Sequence, residues 1–133
     1  MIRLGESAKL VIGVAPIAQV AGSANGVIID RFGFLDAIVH LGLGAATGTP
    51  TAQGVSLKIQ TGAVADGSDM VDVTSTTIAA LTANNLQAEL DIDLSGYKRY
   101  IRAVITTTFT GGTTPAIPVA VTIALGNATN IPV

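Results

Sequence analysis

The chain has 133 residues, of which 49% are hydrophobic, 4% aromatic and 12% charged, with 7 basic against 9 acidic side chains and no cysteine. That length fits one domain with its own core. The near-neutral charge argues against general attraction to nucleic acid, and the lack of cysteine excludes disulfides, thiolate nucleophiles and cysteine-bound zinc while suiting a reducing compartment.

Charged residues are about half as frequent as the ~25% usual in globular domains, so small polar side chains or neighbouring molecules must coat the surface. The uncharged run 10–29 has the length of a spanning helix, about 20 residues, but Pro16, Gln19, Ser23, Asn25 and three glycines interrupt it. Arg3 and Lys9 ahead of this run, with "AQVAGSA" inside it, imitate a secretory signal. Glu6 and Pro16 speak against one, and the segment is expected to be retained.

In chain order the pattern is of short alternating or β-branched runs separated by Gly, Pro, Asn and Thr. Residues 9–14 read as a first strand stopped at Pro16, and 26–31 as a second. Residues 34–43 form a third, with Leu35, Ala37, Val39, Leu41 and Leu43 on one face and Phe34, Asp36, Ile38 and His40 on the other. Residues 42–54 form a loop of small residues. The fourth strand, 54–61, turns Val55, Leu57 and Ile59 inward. A turn at 62–69 leads to a short strand near 70–74, and 76–85 fits either a strand or a helical turn. Residues 86–94 alternate Ala88, Leu90, Ile92 and Leu94 against Gln87, Glu89, Asp91 and Asp93. Ser95–Gly96 then turns the chain into a strand over 97–109. Residues 117–125 make the last strand, with Pro118 tolerable near its start. The expectation is an all-β chain: an antiparallel, jelly-roll-like β-sandwich of about eight strands. It forms one domain over 1–133, with an N-terminal arm (1–7) and a C-terminal tail (127–133).

Several charged clusters could in principle carry chemistry. Lys98, Arg99 and Arg102 open the strand at 97 beside two tyrosines, but three cations make too small a patch for a nucleic-acid site. A tight hairpin at Ser95–Gly96 would set them across from Glu89, Asp91 and Asp93, with each pair contributing about 0.2–1 kcal/mol. One of the two tyrosines, Tyr97 or Tyr100, is expected to pack its ring at the sandwich end with its hydroxyl bonded. Asp66, Asp69 and Asp72 have loop spacing but lack the glutamate that closes a calcium loop, so they read as a turn. His40, the one histidine, stands about 13 Å along its strand from Asp36, too far for a dyad. No serine sits in a nucleophile elbow, and the glycines of 42–48 lack the Lys-Ser/Thr of a phosphate loop. No enzyme and no cofactor or metal is expected. Residues 103–133 carry no Asp, Glu, Lys or Arg. Neutral strands at an open edge invite aggregation, so these are expected to be covered by other subunits.

Four stretches in order, "FGFLDAIVHLGLGAATG", "VSLKIQTGAVADGSDMVDV", "DLSGYKRYIRAVITTT" and "VAVTIALGNATNIPV", resemble the small capsid decoration (cement) proteins of tailed bacteriophages. The likeness spans 32–132 and departs from the family pattern at Met70–Val71, where an aromatic usually precedes "DV". The resemblance implies a β-sandwich, often trimeric, on the outer face of an icosahedral head, made in the bacterial host cytoplasm. It implies that the partners are the major capsid protein and further copies of itself, with no reaction, cofactor, nucleic acid or membrane. Contacts are expected from the arm (Ile2, Arg3, Leu4), the 42–54 loop and the neutral C-terminal region, with Arg99 and Arg102 as polar anchors. A tail or fibre component, or a carbohydrate-binding module on the same sandwich, are the alternatives. The lack of tryptophan, with two tyrosines and three phenylalanines, weighs against the last.

Overall fold

The structure, a computed structural model, describes residues 3–133; Ile2 of the expected contact arm lies outside them. A helical turn, α1 (Leu4–Ser7), precedes nine strands: β1 (Lys9–Gln19), β2 (Gly22–Asn25), β3 (Ile29–Asp30), β4 (Phe34–Leu43), β5 (Ala52–Gly62), β6 (Val71–Leu81), β7 (Gln87–Asp93), β8 (Tyr100–Thr110) and β9 (Ile117–Ala128). Sheet A has the order β1-β9-β4-β7. Sheet B has the order β2-β8-β5-β6, with β3 also paired to β8. All pairings are antiparallel, so the fold is the expected all-β sandwich. Apart from the β2–β3 break and the β5–β6 turn, every connection between strands crosses from one sheet to the other.

Period-2 alternation explains which residues fill the space between the sheets. From sheet A, Val39, Leu41, Val121, Ile123 and Leu125 point inward; from sheet B, Val55, Leu57, Ile59, Ile101 and Ile105 meet them, all essentially without solvent contact. The core is aliphatic, and Phe34 is its one fully buried ring. The face expected for β4 holds from Ala37 to Leu43 and inverts at its start, where Phe34 is buried and Leu35 is exposed. There the chain has just left the turn at Arg31–Phe34, whose Phe34 N–H donates to the Arg31 carbonyl.

Several boundaries differ from the sequence expectation for identifiable reasons. Pro16 does not stop β1. It lies within an irregularity between Val14 and Ile17 on an edge strand, where no ladder hydrogen bond needs its missing N–H. The stretch 26–31 is not one strand, because the chain leaves β8 at Gly26. The Gly26 N–H donates to the Ala103 carbonyl in sheet B and the Val27 N–H to the Gly13 carbonyl in sheet A, joining the two sheets at their open corner. Gly26 is required there by close approach: a Cβ would stand 2.4 Å from the Gly13 oxygen and 2.7 Å from that of Ala103. The ambiguous stretch 76–85 extends β6 through Leu81 and then turns at Asn85, whose φ is +57°.

Strands β8 and β9 account for most of the uncharged end of the chain, and neither is an edge. Strand β8 is paired on one side with β2 and β3 and on the other with β5, while β9 lies between β1 and β4. Their backbone groups are thus satisfied within the chain, which removes the open neutral edge inferred from the sequence.

Among the described residues, the buried Thr107 hydroxyl has no hydrogen-bond partner. Burying an unpaired hydroxyl costs about 1–3 kcal/mol. Thr107→Val keeps the shape and removes the polar atom, and is expected to raise unfolding free energy by about 1 kcal/mol in a denaturant titration. Gly26→Ala is expected to lower it, because both oxygens that a Cβ would strike belong to backbone.

Candidate interaction surface

The cations of the 98–102 segment do not meet the β7 acids. Strand β7 belongs to sheet A and β8 to sheet B, and the 3-10 turn Leu94–Gly96 carries the chain between them instead of folding it into a hairpin. Ile92 and Leu94 are buried at this crossing, and the Asp93 carboxylate accepts from the Ser95 N–H at 2.9 Å, capping the turn. The cations find other partners. Arg99 reaches Asp30 through two bonds, Nε to Oδ1 at 3.0 Å and Nη2 to Oδ2 at 2.8 Å. Its guanidinium also lies 5.0 Å from the centre of the Phe32 ring and 5.4 Å from that of Tyr100. Arg102 donates to the Gln60 side chain at 2.7 Å, Gln60 donates to Asp72 at 2.7 Å, and Lys58 donates to Asp72 at 3.0 Å. Arg102 is therefore the end of a polar ladder across β8, β5 and β6, while Arg99 props an exposed phenyl ring. Arg31 donates to the carbonyls of Tyr97 and Lys98, which ties the β3–β4 loop to the entry of β8. Tyr97 packs against the core and shares a hydrogen bond with Thr76, as expected for one of the two tyrosines.

Arg3 and Leu4 are exposed at the start of the described chain. The Arg3 N–H donates to Glu6 Oε2 at 2.8 Å, and the Val133 N–H donates to the Glu6 carbonyl at 3.2 Å. Arm and tail are thus strapped together beside sheet A. The 42–54 loop is shortened by β4 and β5 to a link that is itself tied down. The Thr47 N–H donates to the Ala116 carbonyl, the Ala46 N–H to Asn84 Oδ1, and the Thr113 N–H to the Gly48 carbonyl. Gly48 (φ +81°) and Gly112 (φ +82°) let the two loop backbones touch, since a Cβ on either would fall within 2.5 Å of a carbonyl oxygen of the other loop.

The acids of the 66–72 stretch are spent on their own backbone or on Lys58. Asp69 accepts from the N–H groups of Ala63 and Val64, and Asp66 from that of Ser68. These N–H groups, led by Ala63 for Asp69 and Ser68 for Asp66, hold both carboxyls below the usual carboxylate range. The hydrogen bonds from Arg99 do the same for Asp30. His40 Nε2 lies 2.8 Å from Gln87 Oε1 on the outer face of sheet A, remote from any acid of this loop.

The largest feature that sequence reasoning missed is that outer face. Cross-strand register sets Leu10, Ala124, Ile38 and Asp91 in one row, and Ile12, Thr122, His40 and Glu89 in the next. The face is apolar from β1 to the middle of β4 and acidic along β7. Leu10 (74%), Ile12 (57%) and Ile38 (45%) remain exposed, and the residues between them on β9 are small. A hollow of about 550 Å³ lies between α1 and this face, lined by Leu4, Leu10, Ile38, Ala124 and Gly126. A shallower one beside it is bounded by Asp36, Asp91 and Asp93. Asp36 stands directly opposite Asp93, a like-charge pair that is unfavourable across strands. Among the described residues none of Asp36, Glu89, Asp91 or Asp93 has an ion-pair partner. The alternation visible in 34–43 and 86–94 carried this signal, but the sequence did not reveal that β9 separates β1 from β4.

No protein-family model and no curated protein sequence matches the chain. Among solved structures it is similar to the PBSX exported protein XepA, with a TM-score of 0.60 at 15% identity, over 98% of this chain and 40% of that one. The likeness is one of fold, and the chain spans 40% of that protein's length. The SPBc2 prophage-derived protein YomS aligns at a TM-score of 0.48 and 10% identity, over 93% of this chain and 97% of that one.

The depressed carboxyls make a prediction about acid. A group whose pKa is lower folded than unfolded stabilises the fold above its unfolded value, near 3.9 for Asp, and that contribution is lost as pH falls through the folded value. The melting temperature of the chain is expected to drop as pH is lowered below about 4. Asp69→Asn is expected to flatten that limb while lowering stability at pH 7. An unchanged acid limb in thermal melts of the variant would contradict the role assigned to Asp69.

Proposed function

We propose that the chain is a structural protein of a tailed-phage particle, a small jelly-roll sandwich that decorates the outside of the head and bridges major capsid subunits. The observation that carries this reading is the uncovered outer face of sheet A, apolar on one side and acidic on the other, on a chain whose charged side chains elsewhere are largely engaged in holding its own loops. The ordered sequence resemblance to decoration proteins points the same way, and the interleaved strand order supports the jelly-roll part of it. On this reading the protein works by contact alone. The outer face of sheet A, with Leu10, Ile12 and Ile38 exposed, lies against a capsid seam, and occupancy of many equivalent sites favours the assembled shell by mass action. Arg3 and Leu4, exposed beside the same face, belong to the contact; Arg99 serves by holding Phe32 outward, and Arg102 by stiffening sheet B.

Heads of a phage encoding this chain, purified without it, provide the test. Adding the protein is expected to give saturable binding in sedimentation and to raise the temperature at which heads release DNA. Removing residues 1–7 is expected to weaken that binding. Attachment to tails and not to heads would favour the tail or fibre alternative, and binding to neither would overturn the particle reading.

A further inference from the structure

Asn25 is the one asparagine of the chain followed by glycine, and that glycine, Gly26, joins the two sheets. The pair has a chemistry of its own. A glycine amide has no Cβ to shield it, and its nitrogen can attack the carboxamide carbon of the preceding asparagine. The new N–C bond closes a five-membered succinimide. The Gly26 amide proton ends, through solvent, on the Asn25 side-chain nitrogen, which leaves as ammonia. Water then opens the ring at one of its two carbonyls and gives aspartate or isoaspartate. Ring closure requires the glycine nitrogen to swing beside the asparagine Cβ, and the fold opposes this in two ways. Asn25 pairs with Val104 as the last residue of β2, and the extended ψ of a strand, roughly +135°, turns the following nitrogen away from Cβ. The Gly26 N–H is also donated to the Ala103 carbonyl at 2.7 Å, and the next peptide is held by the Val27 N–H on the Gly13 carbonyl at 2.8 Å.

We propose that Asn25 is a deamidation site gated by the fold: it stays asparagine while β2 lies on β8, and it is converted when this corner opens. Asn25 is exposed, so water reaches it. The strand that holds it is short. β2 is a four-residue edge of sheet B, paired with β8 and tied to it by a hydrogen bond between the Ser23 and Thr106 hydroxyls at 3.1 Å. Short edges of this kind open at a lower free energy than the core. The fold also fixes the second member of the pair, because a Cβ on Gly26 would stand 2.4 Å from the Gly13 oxygen and 2.7 Å from that of Ala103. The two products differ in their effect. Aspartate leaves the backbone unchanged and places its carboxylate in solvent. Isoaspartate routes the main chain through the side chain and adds a methylene at a corner where two backbone oxygens already exclude a Cβ. A chain carrying isoaspartate cannot rebuild that corner, so unfolding becomes progressively irreversible. This holds whatever the protein binds.

The full chain is incubated at mildly alkaline pH, in buffer and in guanidinium chloride. Mass spectrometry of the peptide carrying Asn25 follows the conversion, and enzymatic methylation of isoaspartyl carboxyls in that peptide separates the two products. Asp66, followed by Gly67, can isomerise through the same ring, but without a change of mass and on a different peptide. In denaturant Asn25 is expected to convert ahead of every other asparagine, and in buffer to convert more slowly by about tenfold or more. After dilution from denaturant, chains with isoaspartate are expected to stay out of the refolded fraction separated by size exclusion. Unconverted chains and those with aspartate are expected to enter it. Asn25→Ser removes the carboxamide at an exposed position and is expected to raise the fraction that refolds after long incubation. Equal rates in buffer and in denaturant overturn the proposal, as does a denatured chain in which Asn25 persists while other asparagines convert. Isoaspartate present in equal proportion in the refolded and unfolded fractions, or an Asn25→Ser chain that refolds no better than the wild type, overturns the role given to the corner.

Discussion

The backbone ladders of β8 and β9 are the constraint on which the sandwich rests. Each strand has a neighbour on both sides, β8 between β2 with β3 and β5, and β9 between β1 and β4. An interior strand can be wholly neutral because its N–H and C=O groups are already paired, and unpaired edges are what charge has to guard. The chain can therefore run from 103 to 133 without one ionised side chain. The alternation along both strands sends Ile101, Ala103 and Ile105 from one sheet, and Val119, Val121, Ile123 and Leu125 from the other, into the same aliphatic core.

Charge is displaced to the margins by the same arrangement. Strand β7, an edge of sheet A, carries three acids on its outer face, while β1, the other edge, is blunted by Pro16 and its irregular register. Loop acids do local work. Asp69 holds the 63–64 backbone and Asp93 caps the crossing from sheet A to sheet B, while Asp30 binds the guanidinium that supports Phe32. What remains unengaged is the row facing outward from sheet A. It lies beside the exposed aliphatic side chains of Leu10, Ile12 and Ile38.

The backbone shows where the loops are pinned. Gly26 stitches the sheets at one corner, and Gly48 and Gly112 let two loops meet at the level of their carbonyls. The 42–54 segment, expected from the sequence as a contact loop, is in this way also part of the scaffold. Among the described residues, the exposed apolar surface includes the outer face of sheet A and the loop that projects Phe32.

Local chemistry was legible in the sequence. Alternation placed β4, β5, β7 and β9 to within a few residues, because side chains in a strand point to opposite faces whatever lies beyond. The Asp-Gly turn and a structural role for one of the two tyrosines were readable for the same local reason. Adjacency was not. Glu89, Asp91 and Asp93 precede Lys98 and Arg99 by a few residues, and a hairpin was the natural inference from that proximity. The buried Ile92 and Leu94 instead carry the chain across the core, so the cations end beside Asp30 and Gln60, residues far away in sequence. The same limit hid the outer face of sheet A, which takes its rows from strands that begin at residues 9, 34, 87 and 117. Which strands become neighbours depends on how all the inward faces pack together, and only the tertiary structure decided that.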